Sequence, residues 1–268
     1  MALGLAAAAA FAMSACGGGG AGGKGGDGVN PGLPGGPGTP PSSLQGAWWG
    51  PFEIGPDRGD TRMLFLPGGD YWALYGGDTV SGFVIEGFVQ GSGVSADGEF
   101  SSVNARDFFG ILPGAPGRLE ANYTSQSVIG VADFTDWTMA FSGAPIPATT
   151  YDFGRPADLA DIVGAWPMQT TVDGIPVELT IQPDGSFSGI DSRNNVGPKC
   201  QFTGNATPRA GVNVFDVTIV FGSACTLPNQ AISGVGLTYT IEGTAIREFL
   251  VAGVNGARSY GAALFGTR

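Results

Sequence analysis

Residues 44–50 read LQGAWWG, and residues 162–168 repeat this pattern as IVGAWPM. The shared tripeptide Gly-Ala-Trp begins at Gly46 and again at Gly164, 118 positions later. A match of three residues says little by itself. Its weight depends on whether other parts of the two halves match in the same order.

Three further matches follow the first one along the chain. LFLPGGDY (64–71) aligns with TIQPDGSF (180–187), VQGSGVSADG (89–98) with FTGNATPRAG (202–211), and SQSVIGV (125–131) with NQAISGV (229–235). The offset decreases along the chain, as insertions and deletions in loops would produce. A unit of roughly 105 residues is too long for a solenoid repeat, so we expect each copy to be a domain.

Within each copy, apolar residues recur at every second position. In residues 213–221, NVFDVTIVF, every second residue from Phe215 to Phe221 is large and apolar. Turn signals such as PGGD and PDG separate these runs, and no amphipathic helix is evident. The pattern predicts an all-β protein with two tandem, duplicated antiparallel domains of about seven to nine strands each, either small barrels or sandwiches.

The domain limits follow from the repeats and from composition. We expect a signal peptide at 1–15, a lipidated cysteine with a flexible Gly/Pro linker at 16–43, and the first β-domain at 44–143. A second linker at 144–161 separates it from the second β-domain at 162–268. The first linker is too poor in apolar residues to form a core, so we expect it to be disordered.

The N-terminal residues predict where the protein is located. Residues 1–16, MALGLAAAAAFAMSAC, combine an apolar run with small residues before a cysteine, as in a secretory signal peptide. The MSAC ending resembles a bacterial lipobox, although residues 1–15 lack the usual Lys or Arg. The resemblance implies that Cys16 carries palmitate and other acyl chains. These would anchor the chain to the outer membrane of the cell envelope, facing the periplasm or the cell surface.

Composition excludes several classes of function. The chain has 12 Lys and Arg against 23 Asp and Glu, a net charge of −11, so we expect no nucleic-acid partner. It has no histidine, which removes Ser-His and Cys-His catalytic sites. We therefore expect no enzyme, no catalytic residue, no metal site and no cofactor. Six acidic residues are assigned to solvated turns or solvent-facing positions: Asp57, Asp60, Asp70, Asp78, Asp184 and Asp191.

The cysteine count points to one disulfide. With Cys16 lipidated, Cys200 and Cys225 remain as a pair in an oxidising compartment. A bond across this separation would stabilise the fold by about 3 kcal/mol in the chain-entropy model. The alternative is two buried free thiols.

The Gly-x-Trp motif resembles the calycin pattern of lipocalins and streptavidin-like proteins, where it begins the first strand of an up-and-down barrel. The resemblance implies that Trp48 and Trp166 close the floors of two barrels. It also implies that an arginine from the last strand stacks on the tryptophan ring. This gives Arg258 as the partner of Trp166, with Arg247 as the second choice. The alternative is that both tryptophans are ordinary core residues of another fold.

Tandem repeats within a lipidated chain also resemble a class of uncharacterised proteobacterial lipoproteins. That class has no known activity that could be transferred to this chain. The resemblance therefore supports the expected location in the cell envelope and does not indicate a function.

Large aromatic residues are concentrated in the first copy. In DYWALY (70–75), strand alternation puts Tyr71 and Tyr75 on one face and Trp72 on the other, so both faces are apolar. One face therefore needs to be covered. Together with Trp49, these residues form either a contact between the two domains, which we favour, or a site for an apolar or sugar-like ligand.

The leading hypothesis is a non-catalytic envelope lipoprotein whose β-domains bind a partner or a small ligand. The alternative is a surface-exposed adhesion or interaction lipoprotein without a small-molecule pocket. The two hypotheses differ in whether one of the domains contains an open cavity.

Overall fold

The computed structural model describes residues 41–192 and 197–268. This part of the chain contains seventeen strands and one 3-10 turn, Leu159–Asp161. The predicted signal peptide, Cys16 and the linker up to residue 40 lie outside the described residues. Within the described ranges, no helix is long and apolar enough to cross a membrane.

The first copy is a closed antiparallel barrel. Its strands are β1 Gly46–Ile54, β2 Asp57–Phe65, β3 Asp70–Thr79, β4 Gly82–Ser92, β5 Val94–Ala96, β6 Glu99–Phe109, β7 Ala115–Tyr123, β8 Val128–Phe134 and β9 Thr138–Pro145. Pairing of β1 with β9 and of β4 with β6 closes an eight-stranded barrel. The short β5 continues β4 beyond Gly93 and pairs with the beginning of β6.

The second copy is also a closed, eight-stranded antiparallel barrel. Its strands are β10 Gly164–Thr170, β11 Pro176–Ile181, β12 Ser186–Asp191, β13 Gln201–Pro208, β14 Phe215–Phe221, β15 Ala231–Thr240, β16 Arg247–Val254 and β17 Gly261–Thr267. Each strand pairs with its neighbours in sequence, and β17 returns to β10. Of the two architectures that the sequence left open, the barrel is therefore the correct one.

Alternation of apolar and polar residues fills both barrels. Along β14, FDVTIVF, buried and exposed residues alternate without a break, and β11 shows the same pattern. The inward side chains form one apolar cluster in each barrel, around Phe100 in the first and Phe215 in the second. Removal of this apolar surface from water is the main term that favours each barrel.

The β2–β3 and β11–β12 turns show that the two copies are equivalent. Gly69 has a φ of +92° and Gly185 a φ of +83°, a conformation that L side chains rarely adopt. The Gly69 carbonyl oxygen accepts a hydrogen bond from the Gly93 N–H (3.0 Å), and that of Gly185 accepts from the Ala206 N–H (2.9 Å). A Cβ at either glycine would lie 2.2 Å from the carbonyl oxygen of the same partner residue. The PGGD and PDG turns therefore occupy the same place in both barrels.

One of the four sequence matches is wrong. SQSVIGV (125–131) leads into β8, the seventh strand of the first barrel, whereas NQAISGV (229–235) leads into β15, the sixth strand of the second. The structural counterpart of β15 is β7. In an up-and-down barrel every strand follows a turn and has the same period, so short stretches align readily across a one-strand shift.

The outer face of DYWALY is covered by the second barrel. Trp72 and Leu74 of β3 lie in one apolar cluster with Leu237 of β15 and Leu250 of β16. The second barrel therefore covers the outer apolar face of β3, which is the inter-domain contact that the sequence favoured.

A buried polar network crosses the same contact. The Arg62 Nε donates to the Tyr239 hydroxyl at 3.2 Å, and its Nη2 donates to Asp78 at 2.5 Å. The Phe83 N–H donates to the Glu248 carboxylate at 2.5 Å. Glu248 is 1% exposed, and burial raises the pKa of its carboxyl. Polar groups buried in this contact are thus hydrogen-bonded to groups of the opposite barrel, as buried polar groups generally are.

Candidate functional site

Each barrel has two ends. We call the end at which the first strand begins the floor, and the opposite end the mouth. The β1–β2, β3–β4 and β8–β9 turns and the β6–β7 loop form the mouth of the first barrel. The β10–β11, β14–β15 and β16–β17 connections and the described ends of the β12–β13 connection lie at the mouth of the second.

Trp166 lies at the floor of the second barrel, with Arg268 over its ring. The Trp166 side chain is 1% exposed, and its indole Nε1 donates to the Ile162 carbonyl oxygen at 2.6 Å. The Arg268 Cζ lies 4.1 Å from the ring centroid, and its Nη1 donates to the Val163 carbonyl oxygen at 2.7 Å. A cation–π contact is therefore present, but a different arginine makes it.

The prediction of Arg258 as the partner of Trp166 is wrong. Arg258 lies in the β16–β17 turn at the mouth, and β17 runs from there to the floor, so the residue that follows β17 reaches Trp166. The Arg258 Nη2 instead donates to the carbonyl oxygens of Gln90 and Asn104 in the first barrel, both at 2.7 Å. Arg247, the second choice, donates to the 3-10 turn.

Trp48 takes the equivalent position in the first barrel and is 4% exposed. Among the described residues, no arginine stacks on its ring and its indole Nε1 has no hydrogen-bond acceptor. After the last strand of the first barrel the chain continues with Ile146, where the second barrel has Arg268. The two floors are alike in position and differ in polar contacts.

Among the residues that the structure describes, a disulfide and two hydrogen bonds narrow the mouth of the second barrel. The Cys200–Cys225 disulfide, predicted from the cysteine count, joins the residue before β13 to the loop after β14. Asp173 accepts hydrogen bonds from the hydroxyls of Thr170 and Thr226, each at 2.7 Å, and so ties the loop after β10 to the loop after β14. A cavity of about 30 Å³ remains behind these loops.

The mouth of the first barrel opens into a cavity of about 630 Å³. Aromatic side chains and charged side chains share its walls. The aromatic ones are Phe52, Tyr75, Phe109 and Trp137. The charged ones are Asp57, Arg58, Glu86, Asp107 and Asp136. This end of the first barrel is the candidate site.

Tyr75 and Asp107 form a buried pair inside this cavity. The Tyr75 hydroxyl donates to the Asp107 Oδ1 at 2.8 Å, and the two side chains are 4% and 6% exposed. Burial raises the pKa of Asp107 to about 6, although the hydrogen bond from Tyr75 opposes this shift. Burial and the neighbouring carboxylate raise the pKa of the Tyr75 hydroxyl. Phe52 packs edge-on against Tyr75, with ring centroids 5.6 Å apart.

The charge of the cavity wall is negative. Four carboxylates contribute to it, those of Asp57, Glu86, Asp107 and Asp136. The cation in the lining is Arg58, which forms a salt bridge with Glu53 at 3.2 Å. A cleft lined mainly by one sign of charge focuses the field and attracts the opposite charge.

An exposed apolar segment borders the cavity. Phe109, the last residue of β6, is 51% exposed, and Ile111 and Leu112 in the β6–β7 loop are 54% and 60% exposed. Phe109 and Leu112 also line the cavity. The apolar surface of the mouth therefore extends onto its rim, where an entering molecule can contact it.

The aromatic residues predicted from the sequence do not converge on one site. Tyr71 is fully buried inside the first barrel, where its hydroxyl donates to the Ser102 Oγ at 3.2 Å. Trp72 lies outside the barrel in the contact with the second domain, and Trp49 packs against the same cluster. Tyr75 alone of the four lines the open cavity.

Asp107 was missed because of a β-bulge. Alternation counted from Phe100 places Ser102 inward and the next inward positions at 104 and 106. The pairing of β6 with β7 shifts by one residue between Ser102 and Ala105, which turns Ala105 and Asp107 inward instead. The sequence shows no Gly or Pro at this point that would have signalled the shift. Asp57, assigned to a solvated turn, lies on the rim of the same cavity.

Within residues 41–192 and 197–268, no group of three or more His, Cys, Asp or Glu side chains is placed to hold a metal ion. Comparisons of the chain with protein-family models, with curated proteins and with solved structures find no match.

Proposed function

We propose that the protein is a non-catalytic envelope lipoprotein whose first barrel binds a small ligand in its mouth. The observation that carries the proposal is the cavity of about 630 Å³. Small-molecule sites are typically clefts of roughly 300–1,000 Å³ with apolar walls and a small number of well-placed polar groups. The first mouth has a volume in this range and the same mixture of groups.

The difference between the two barrels supports the proposal. In the second barrel, a disulfide and the Asp173 hydrogen bonds join the described mouth loops, and the cavity there has a volume of about 30 Å³. In the first barrel the same end stays open, and it holds the buried Asp107 carboxylate. Burial of a carboxylate destabilises a fold, and strongly shifted pKa values occur preferentially at functional sites.

The resemblance of MSAC to a lipobox supports an envelope setting for this site. In the proposal Cys16 is lipidated and holds the barrels at the outer membrane. The adhesion alternative has less support, because the exposed apolar side chains of Phe109, Ile111 and Leu112 lie at the rim of the cavity.

Native mass spectrometry of the full-length mature protein, released from membranes in a mild detergent, tests ligand binding. We expect an extra mass that is lost on denaturation. Ala115 pairs with Asp107 across β6 and β7, so both side chains face the mouth. Ala115→Trp is expected to abolish the extra mass. Ala140→Trp, on the exposed face of β9, should retain it.

An unmodified protein without extra mass that also takes up no compound from a broad small-molecule library would contradict the proposal. So would an extra mass that survives Ala115→Trp. The lipid anchor is tested separately. Labelled palmitate should be incorporated into the wild-type chain and not into Cys16→Ser, and equal labelling of both would exclude the anchor.

A further inference from the structure

We propose that the ligand of the first mouth is an organic cation, an ammonium or similar positively charged group attached to an apolar body. This inference rests on the proposed function and specifies the class of ligand. It follows from the charge, the hydrogen-bonding groups and the aromatic walls of the cavity.

The first argument is the balance of charge. The lining contributes four carboxylates, while its arginine, Arg58, is exposed and paired with Glu53. No arginine or lysine among the described residues forms an ion pair with Asp107, and its hydrogen-bond partners are the Tyr75 hydroxyl and the Phe108 N–H. A carboxylate with 6% exposure and no cation beside it lies in a cavity that a ligand can enter. A positive group on the ligand would supply the missing counter-charge.

The second argument is the kind of hydrogen-bonding group that the cavity offers. An ionised carboxylate only accepts hydrogen bonds. The donors in the wall are the Tyr75 hydroxyl, which is engaged by Asp107, the Arg58 guanidinium, which is engaged by Glu53, and the Trp137 indole. The wall is therefore rich in acceptors and poor in free donors. An ammonium group, which only donates, matches such a wall better than a sugar hydroxyl, a carboxylate or a phosphate.

The third argument is the aromatic surface beside the carboxylates. Trp137 stacks on Phe134 with ring centroids 4.2 Å apart, which fixes the orientation of its ring next to the cavity. Phe52 and Tyr75 are held by their edge-to-face contact. Aromatic faces attract cations and also bury an apolar body, so the same rings serve both parts of the proposed ligand.

The other titratable or charged groups that line the cavity with Asp107 come from three strands and one turn. They are Tyr75 on β3, Glu86 on β4, Asp57 and Arg58 on β2, and Asp136 in the β8–β9 turn. Asp107 has a pKa of about 6, raised by its burial, so acidification below this value removes its negative charge. Affinity for a cation should therefore fall between pH 7.5 and pH 5, whereas affinity for a neutral molecule of the same shape should not.

The test uses three naphthalene probes of nearly equal shape: 1-naphthylmethylammonium, 1-naphthalenemethanol and 1-naphthylacetate. Each is titrated into the full-length protein at pH 7.5 with calorimetry and ligand-observed NMR. We expect the ammonium probe to bind at least tenfold more tightly than the alcohol, and the carboxylate probe to bind most weakly. Asp107→Asn should reduce this preference to less than threefold. Asp97→Asn, an exposed substitution in the β5–β6 turn, should leave it intact.

The wild-type protein provides a second measurement that needs no variant. Its preference for the ammonium probe over the alcohol should shrink severalfold on going from pH 7.5 to pH 5. If the alcohol or the carboxylate binds as tightly as the ammonium probe, and Ala115→Trp blocks that binding, the mouth is a ligand site but the cation inference is wrong. If none of the three probes binds at millimolar concentration, the cation inference is wrong, and the proposed function is then decided separately by the native mass spectrometry and the compound library.

Discussion

Replacing Asp107 by asparagine is expected to stabilise the protein at neutral pH and to have little effect near pH 4. Asparagine has the same shape and keeps an oxygen that can accept the Tyr75 hydrogen bond. What the substitution removes is the negative charge that the fold buries. The pKa of Asp107 in the folded protein is about 6, above the ordinary value of 3.8. Because one pKa unit corresponds to about 1.4 kcal/mol, the full effect is about 3 kcal/mol.

The sign of the pH dependence follows from the direction of the shift. A raised pKa means that the folded state binds the proton of Asp107 more tightly than the unfolded state does. The stability associated with the protonated form is therefore complete below about pH 3.8 and is lost as the pH rises through about 6. The asparagine variant has no such loss. Its advantage over the wild type should grow from near zero at pH 4 to about 3 kcal/mol at pH 7.

Urea unfolding at pH 4, 5, 6 and 7, followed by tryptophan fluorescence, measures this difference. Other buried carboxyls with raised pKa values, such as Glu248, are present in both proteins and cancel in the comparison. Asp97→Asn serves as the control, since Asp97 is exposed and has a φ of +52°, which asparagine tolerates. A difference between wild type and Asp107→Asn that stays constant from pH 4 to pH 7 would refute the reasoning.

Three further predictions concern stability. Arg268→Met should destabilise the second barrel by about 1–3 kcal/mol in thermal or urea unfolding, because it removes the cation–π contact and the bond to the Val163 carbonyl; an unchanged midpoint would exclude that role. Reduction of the Cys200–Cys225 bond should cost about 3 kcal/mol in urea unfolding with and without reductant, and a loss under 1 kcal/mol would contradict the chain-entropy estimate. Gly69→Ala should cost more than about 2 kcal/mol in urea unfolding, since its Cβ would lie 2.2 Å from a carbonyl oxygen. At Gly55, which also has a positive φ, a Cβ would meet nothing within 4 Å. An equal cost for Gly55→Ala would show that backbone strain, and not the steric clash, sets the loss of stability.

The residues that carry the general architecture could be identified from the sequence. Period-two alternation such as that of β14 predicts strands regardless of their partners, and the repeated Gly-Ala-Trp predicts two copies. The cysteine count predicted the Cys200–Cys225 bond. These features are local, because each depends on residues a few positions apart or on a simple count.

The assignment of individual side chains to sites failed where it depended on strand direction and register. Arg258 and Arg268 are both close to the last strand in sequence, but only the direction of β17 decides which one reaches the floor. Asp107 points into the mouth because one extra residue in β6 reverses the alternation that precedes it. Neither the direction of β17 in the barrel nor the register shift in β6 can be recognised from the residues of one strand.

The sequence by itself therefore determined the fold class, the two copies and the disulfide, since alternation, repetition and cysteine pairing are written in short-range patterns. Only the tertiary structure decided which barrel is open. That outcome depends on loops from different strands that meet across the end of a barrel. In the second barrel they are joined by Asp173 and a disulfide, and in the first they leave a cavity of about 630 Å³ around a buried carboxylate.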